Sequence, residues 1–418
     1  MMRLTRRQFL RTSGGVLAAA GLAGCRTGAG EIAPPSGRRV VVIGGGWGGA
    51  TAAKYVRMAD PTIEVVLLEP NTRFISCPFS NLVLSGVRTL PSLTFGYGGL
   101  RERGVTVRHE PALALEPDRS RVRLDGGYLG YHRLILSPGV DFQWEQVEGL
   151  AAAKDTVLHA WKAGPQTVAL AKQLKDMPDG GVVVMTVPPA AYRCPPGPYE
   201  RACQIAWFLK TQKPRARLIV LDANQNIVSK AGLFRAAWQA YPNLEYRASN
   251  KVVKVDPSAR TVTTEFGDVV KYDVVNIIPP QRAAAIAVEA DLVGGDKRWC
   301  EVDHVTYESL KARNVHVIGD ATIGLPVPKS GTIANAQGKI AALAVVNLLN
   351  GRPAPETPPL NTCYSWVSDR EVVAVVNAYR IDGGKVVQIE QKLTPGASTL
   401  WAEHALAWAA NIWNDILV

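Results

Sequence analysis

The sequence predicts an α/β fold with two parallel-sheet units of the dinucleotide-binding type and a small C-terminal domain. Three observations predict it. An apolar strand, VVVI at residues 40–43, runs straight into a glycine-rich turn and an alanine-rich helix. The same strand, loop, helix, strand order returns in GGVVVMTVPPAAYRC and ARLIVLDANQ, residues 180–194 and 216–225. Two further segments, YHRLILSPGV (131–140) and NVHVIGDAT (314–322), are apolar strands that end in turn residues, the pattern of parallel strands buried on both faces.

The first unit carries a complete phosphate-binding context. Gly44, Gly46 and Gly49 stand in G-x-G-x-x-G order immediately after the strand, and a second strand at 65–68 ends in Glu69, where a carboxylate meets ribose hydroxyls. Gly44 allows the tight turn, Gly46 lets the backbone approach a pyrophosphate, and Gly49 brings helix against strand. The Ser-Pro-Gly ending at Gly139 and the Gly-Asp pair ending at Asp320 resemble the returning motifs of FAD-dependent flavoproteins with two dinucleotide domains, the glutathione-reductase-like superfamily. That resemblance implies FAD at the first site, with Asp320 on the ribityl and phosphate region. A carboxylate at the carboxyl end of a parallel strand also sits where open α/β sheets bind ligands.

The second unit departs from this pattern. Its loop has Pro188 and Pro189 where glycines belong, and proline has no N–H to offer a phosphate. A nicotinamide cofactor, NAD(P), is therefore not expected. The loop delivers Cys194 instead, followed by Pro195-Pro196-Gly197-Pro198 and a helix that opens with Tyr199 and Glu200. The organisation that follows is an FAD domain from 36–149 and 282–348, a degenerate nucleotide-like domain at 150–281, and a C-terminal interface domain at 349–418. The last is set off by the proline-rich GRPAPETPPL, residues 351–360, and contains Trp366, Trp401, Trp408 and Trp413.

Residues 1–25 read as an address rather than as fold. Arg6 and Arg7 precede Phe9, Leu10 and a short small-residue apolar run, resembling a twin-arginine export signal, and LAGC resembles a lipoprotein box that would make Cys25 the lipidated first residue of a periplasmic or membrane-anchored chain. The net charge of +11 falls to +7 without residues 1–24, and the basic residues are scattered rather than striped, so nucleic acid is not the expected partner. Cys77, Cys194, Cys203, Cys300 and Cys363 remain. With no C-x-x-C pair and no histidine cluster, no metal site is expected.

More specific segments narrow the resemblance. RCPPGPYERA, AWKAGPQT, NIIPPQRA and PKSGTIANAQGK are similar to the flavoprotein subunit of flavocytochrome c sulfide dehydrogenase, from about residue 38 to the end. The resemblance implies a periplasmic enzyme that oxidises sulfide and passes electrons through FAD to a c-type cytochrome subunit. It implies that Cys77, in FISCPFSNLVLSG, bears the flavin through the 8α-methyl carbon. It also makes Cys194 half of a redox disulfide, with the partner expected just after Gly-Asp, where this sequence has Thr322. Threonine cannot be a leaving sulfur. Three accounts stay open: Cys194 pairs with Cys203 or another cysteine, it works alone as a persulfide carrier, or sulfide oxidation has been lost. Cys203 reads as a buried helix residue, and Cys300 and Cys363 as structural.

Glu200 is the carboxylate near the loop, placed to accept a proton from hydrosulfide or simply to favour the helix dipole. The helix starting in PVPKSGTIANAQGK can aim its positive end at the flavin pyrimidine ring, with Lys329 adding charge. Alternative classes are a sulfide:quinone reductase, an NAD(P)H-linked disulfide reductase, and a non-catalytic electron-transfer flavoprotein.

Overall fold

A computed structural model describes residues 30–32, 37–324 and 326–418. The export segment expected at residues 1–25, with Cys25, lies outside the described residues. The first parallel sheet has five strands in the order Val315–Val317, Arg133–Leu136, Arg39–Ile43, Glu64–Leu68, Thr106–Arg108. Val40, Val41 and Val42 at its centre are fully buried, because helices and small antiparallel sheets cover both faces.

Two helices press on this sheet, Trp47–Ala59 and Gly331–Leu349. They meet through small residues: a Cβ added to Gly338 would stand 2.5 Å from the carbonyl oxygen of Gly48. The second helix is apolar and long enough to cross a membrane, yet most of it is buried in this packing. Its N-cap, Ser330, accepts a hydrogen bond from the Ile333 N–H at 3.2 Å, satisfying one orphan donor of the first turn.

The second parallel sheet has four strands, Leu244–Arg247, Arg217–Asp222, Val182–Val187 and Val274–Asn276. The cysteine-bearing loop leaves the carboxyl end of Val182–Val187 and enters the helix Gly197–Gln212, whose inner face, including Cys203, is buried.

The C-terminal segment forms a three-stranded antiparallel sheet, Leu360–Trp366, Val372–Asp382 and Lys385–Leu393, and the helix Thr399–Leu417. This helix is fastened to the first unit. Asp415 accepts from Tyr55 Oη at 2.6 Å and from Asn335 Nδ2 at 2.8 Å, and pairs with Lys339 at 2.7 Å. The Trp408 ring stacks on Trp47 with centroids 5.9 Å apart. Together the three units enclose the cavity described next.

Candidate functional site

A cavity of ≈ 530 Å³ runs from the glycine turn, past the N-terminus of Gly331–Leu349, to the cysteine loop and the strand Leu360–Trp366. Its nucleotide end follows from the glycines. Gly44 has φ +94°, and a Cβ there would sit 2.3 Å from the Ser137 carbonyl oxygen, while a Cβ on Gly49 would collide with the Gly44 carbonyl at 1.8 Å. Nothing in the protein crowds Gly46, which opens onto the cavity. Glu69 Oε2 accepts the Gly45 N–H at 2.7 Å, and Glu69 Oε1 accepts from Asn71 N at 2.8 Å and from Asn71 Nδ2 at 2.7 Å, so the carboxylate shapes the turn from which a ribose would be held.

Four buried polar atoms on this cavity's lining residues have no protein partner: Asp320 Oδ1, and the indole nitrogens of Trp47, Trp161 and Trp366. Orphaned buried groups of this kind call for a polar ligand, since leaving them dry costs about 1–3 kcal/mol each. Burial pushes the Asp320 carboxyl above the usual carboxylate range, although Arg193 and Lys329 pull it back down. Gly139 and the helix start Ser330-Gly331-Thr332 also line the cavity. Glycines, ribose-side carboxylate and orphaned atoms together fit FAD.

The chemical end is crowded with sulfur and charge. Cys77 lines the cavity beside Pro78 and Phe79. Cys194 occupies the left-handed region at φ 58°, uncommon for a residue with a side chain, and is held there by two backbone bonds: its N–H donates to the Lys329 carbonyl at 2.7 Å and its carbonyl accepts from Gly197 at 2.8 Å. Burial, then the neighbouring Cys363 and Glu200, push the Cys194 thiol well above its ordinary range, while Lys230 and Arg193 pull the other way. Arg193 faces Cys77, Asp320 and Cys194; burial opposes its charge, but those partners outweigh it. Glu200 is buried, and its two oxygens accept from Asn81 Nδ2 and from the Trp366 N–H, both at 2.8 Å.

The position where the resemblance places a second cysteine lies away from the cavity. Thr322 does not line the cavity; its hydroxyl donates to the Gly319 carbonyl at 2.9 Å and its backbone bridges Cys300. Cys363, read from sequence as structural, lines the cavity with Cys194. It also lines a second cavity of ≈ 250 Å³ behind the cysteine loop, bounded by Tyr192, Pro195, Lys329 and Gln391. A cysteine in LNTCYSW carries no local mark that it lines one cavity with a residue 169 positions away. Lys329 is placed differently from the expectation too. It lines the second cavity and not the first, and its ammonium donates to the Asp320 carbonyl at 3.1 Å and to the Thr322 carbonyl, buried deeply enough to pull it down to about 7. Cys203, fully buried in the helix, reaches neither cavity.

Among models of known families, one described as pyridine nucleotide-disulphide oxidoreductase matches residues 38–185. A solved sulfide:quinone oxidoreductase from Aquifex aeolicus superposes with a TM-score of 0.76 at 17% identity, covering 91% of this chain and 92% of that one. The chain has the glutathione-reductase-like α/β fold, with two dinucleotide-binding domains and a smaller C-terminal domain. The flavoenzyme's central and C-terminal segments, 167–279 and 355–417, match models described as the central part of the sulfide dehydrogenase [flavocytochrome c] flavoprotein chain and as flavocytochrome c sulphide dehydrogenase, flavin-binding. It is an FAD-dependent oxidoreductase acting on a sulfur compound.

The relatives correct the expected electron partner. The mitochondrial sulfide:quinone oxidoreductase of Mus musculus is 25% identical over 347 residues, 78% of this chain and 74% of that protein, and its Dictyostelium discoideum counterpart is 24% identical over 348. Likeness to the flavocytochrome c flavoprotein chain of Chlorobaculum thiosulfatiphilum, 63% identical, spans 46 residues, 11% of this chain and 96% of that sequence. Similarity along most of the chain is thus to quinone-linked enzymes by name. The expected flavocytochrome c identity and c-type cytochrome partner are set aside. The same fold occurs in a water-forming NADH oxidase from Lactobacillus brevis, which superposes with a TM-score of 0.62 at 15% identity and covers 91% of each chain.

Proposed function

We propose that this flavoenzyme oxidises sulfide at a Cys194–Cys363 redox pair and delivers the electrons to a quinone. The observation that carries the reading is the meeting of two cysteines from distant segments at the end of the FAD-type cavity, with Arg193, Lys230 and Glu200 around them. In the oxidised enzyme the pair is a disulfide. Hydrosulfide attacks the Cys194 sulfur, the S–S bond breaks, and Cys363 leaves as thiolate. Closing a bond between the new terminal sulfur and Cys363 gives a trisulfide and releases one proton and two electrons. Glu200 takes the proton, since its buried carboxyl is raised above the ordinary glutamate range. Bound FAD supplies the two-electron acceptor between sulfur and quinone.

Gly44, Gly46, Gly49, Glu69, Gly139 and Asp320 hold the nucleotide, and Cys77 anchors the flavin covalently beside Arg193. The aromatic wall of Phe79, Tyr364, Trp366 and Trp408 supports a flat apolar acceptor, and exposed Leu400 and Leu406 on the C-terminal helix support contact with lipid. Export by the twin-arginine route with lipid on Cys25 is consistent with that placement.

Anaerobic titration of the holoenzyme with sulfide tests the reading: the flavin absorbance bleaches, and a short-chain quinone restores it. A flavin that stays oxidised under excess sulfide overturns it.

A further inference from the structure

Lys230 caps the helix Ala231–Trp238 from outside, with its own backbone in the left-handed region at φ 55°. Its side chain turns inward and is 5% exposed. The ammonium donates to the carbonyl oxygen of Cys363 at 3.1 Å and to Ser365 Oγ at 2.9 Å, and it forms no ion pair among the described residues. A buried cation whose bonded partners are only dipoles is costly, and such a charge persists where an anion forms close by. Both of its hydrogen bonds are to the strand that carries Cys363.

We infer that Lys230 is a positioning residue that holds Cys363 as the thiolate of the reduced pair and so makes it the leaving sulfur when hydrosulfide adds at Cys194. The charged and titratable groups around Cys363 are Lys230, Glu200, Cys194 and, across the second cavity, Lys329. Burial pushes the Cys363 thiol up, Lys230 pulls it down, and Glu200 pushes it up. Once Glu200 has taken a proton that last opposition is gone, and the thiolate faces the Lys230 cation. The lower the affinity of the departing sulfur for its proton, the faster it leaves a disulfide. The direction of sulfide attack is then set by a lysine that touches neither flavin nor substrate. The inference rests on the Cys194–Cys363 pairing proposed above.

The test is alkylation of the dithiol-reduced holoenzyme with iodoacetamide between pH 5 and 10, with Cys363 and Cys194 modification quantified separately by peptide mass spectrometry. Cys363 remains reachable through the second cavity. In Lys230→Met the Cys363 profile moves up by about one to three pH units, so that its alkylation below the wild-type midpoint slows about tenfold or more. Cys194, which Arg193 also serves, moves less, and Lys230→Arg keeps the wild-type profile. Ser365→Ala, which keeps the cation and loosens its anchor, gives a smaller shift and serves if the methionine variant does not fold. A Cys363 profile unchanged in Lys230→Met, or a shift confined to Cys194, overturns the inference. Non-reducing peptide maps of the oxidised wild type separate its failure from that of the pairing: a missing Cys194–Cys363 disulfide sinks the leaving-group role together with the pairing, whereas a disulfide that is present beside an unshifted profile sinks the lysine's role alone.

Discussion

Replacing Glu200 by glutamine gives a sharp trial of the proposed proton acceptor, because its surroundings leave the amide no comfortable orientation. Glu200 presents two acceptors to two donors, Asn81 Nδ2 and the Trp366 N–H, each at 2.8 Å. Glutamine keeps one acceptor and turns an N–H toward the other donor. Asn81 cannot relieve the clash by rotating its amide, since its oxygen already accepts from Arg201 Nε at 3.0 Å. One charge-assisted bond is lost, worth about 1.5–3 kcal/mol, and a buried donor is left unpaired at about 1–3 kcal/mol. The relief of desolvating a charge offsets part of this, and the expected loss is about 3 kcal/mol.

The same variant changes pH dependence in a determined direction. Burial raises the folded Glu200 carboxyl above its unfolded value. The stability linked to it is therefore fully present below the ordinary glutamate range and is lost as pH rises through the raised folded value. Glutamine does not titrate, so the gap between wild type and variant is widest in acid and narrows across that window. Guanidinium unfolding followed by tryptophan fluorescence at several pH values reads both effects, and stopped-flow flavin reduction by sulfide reads the chemistry, expected to slow about a hundredfold or more. Unfolding midpoints that coincide with wild type at every pH, or a gap that widens as pH rises, refute the reasoning from geometry. A variant that is destabilised but reduces its flavin at the wild-type rate refutes the proton role alone.

Other expectations follow from the site. Cys363→Ala retains FAD but loses reduction by sulfide, whereas Thr322→Ala, outside the cavity, reduces normally; the reverse pattern in the same absorbance assay returns the redox partner to the position after Gly-Asp. Acid denaturation leaves the yellow chromophore on the wild-type polypeptide and releases it from Cys77→Ser, and free FAD recovered from the wild type contradicts the covalent link. Mass spectrometry of membrane fractions finds a diacylated Cys25 at the N-terminus, and a periplasmic chain that begins well after it contradicts the lipid anchor.

What was legible in the sequence was whatever a short window encodes. The turn at Gly44, Gly46 and Gly49 announces itself because its conformation and close backbone contacts demand glycine at fixed spacing. The prolines at 188 and 189 marked the second loop as unlike the first, and Cys194 was found by its place in that loop. Cys363 was not, because it reaches the same cavity only when the C-terminal sheet docks on the second unit, and no local pattern reports docking. Resemblance alone pointed to residue 322, where the chain spends its hydroxyl on the Gly319 carbonyl. Arg193 and Lys230 were missed for a related reason: a basic residue in a loop reads as solvated until packing buries it. Lys329 showed the converse, since its neighbourhood was anticipated while its side chain points into the second cavity.

The cavity draws its walls from residues within 44–48, 69–81, 137–140, 161–165, 193–201, 319–320, 330–334 and 362–366, with Tyr97 and, from the last helix, Trp408. No contiguous third of the polypeptide contains the site, so a partly assembled chain cannot bring Cys77, Cys194 and Cys363 to one place. Pairings this far apart in sequence form late in folding, because loop closure must precede them. The flavin attachment proposed at Cys77 would therefore report that all three units have docked, and a coloured polypeptide would be a finished one. Under the twin-arginine export proposed above, a route that carries folded cargo, maturation of the chromophore would double as proof of readiness to leave.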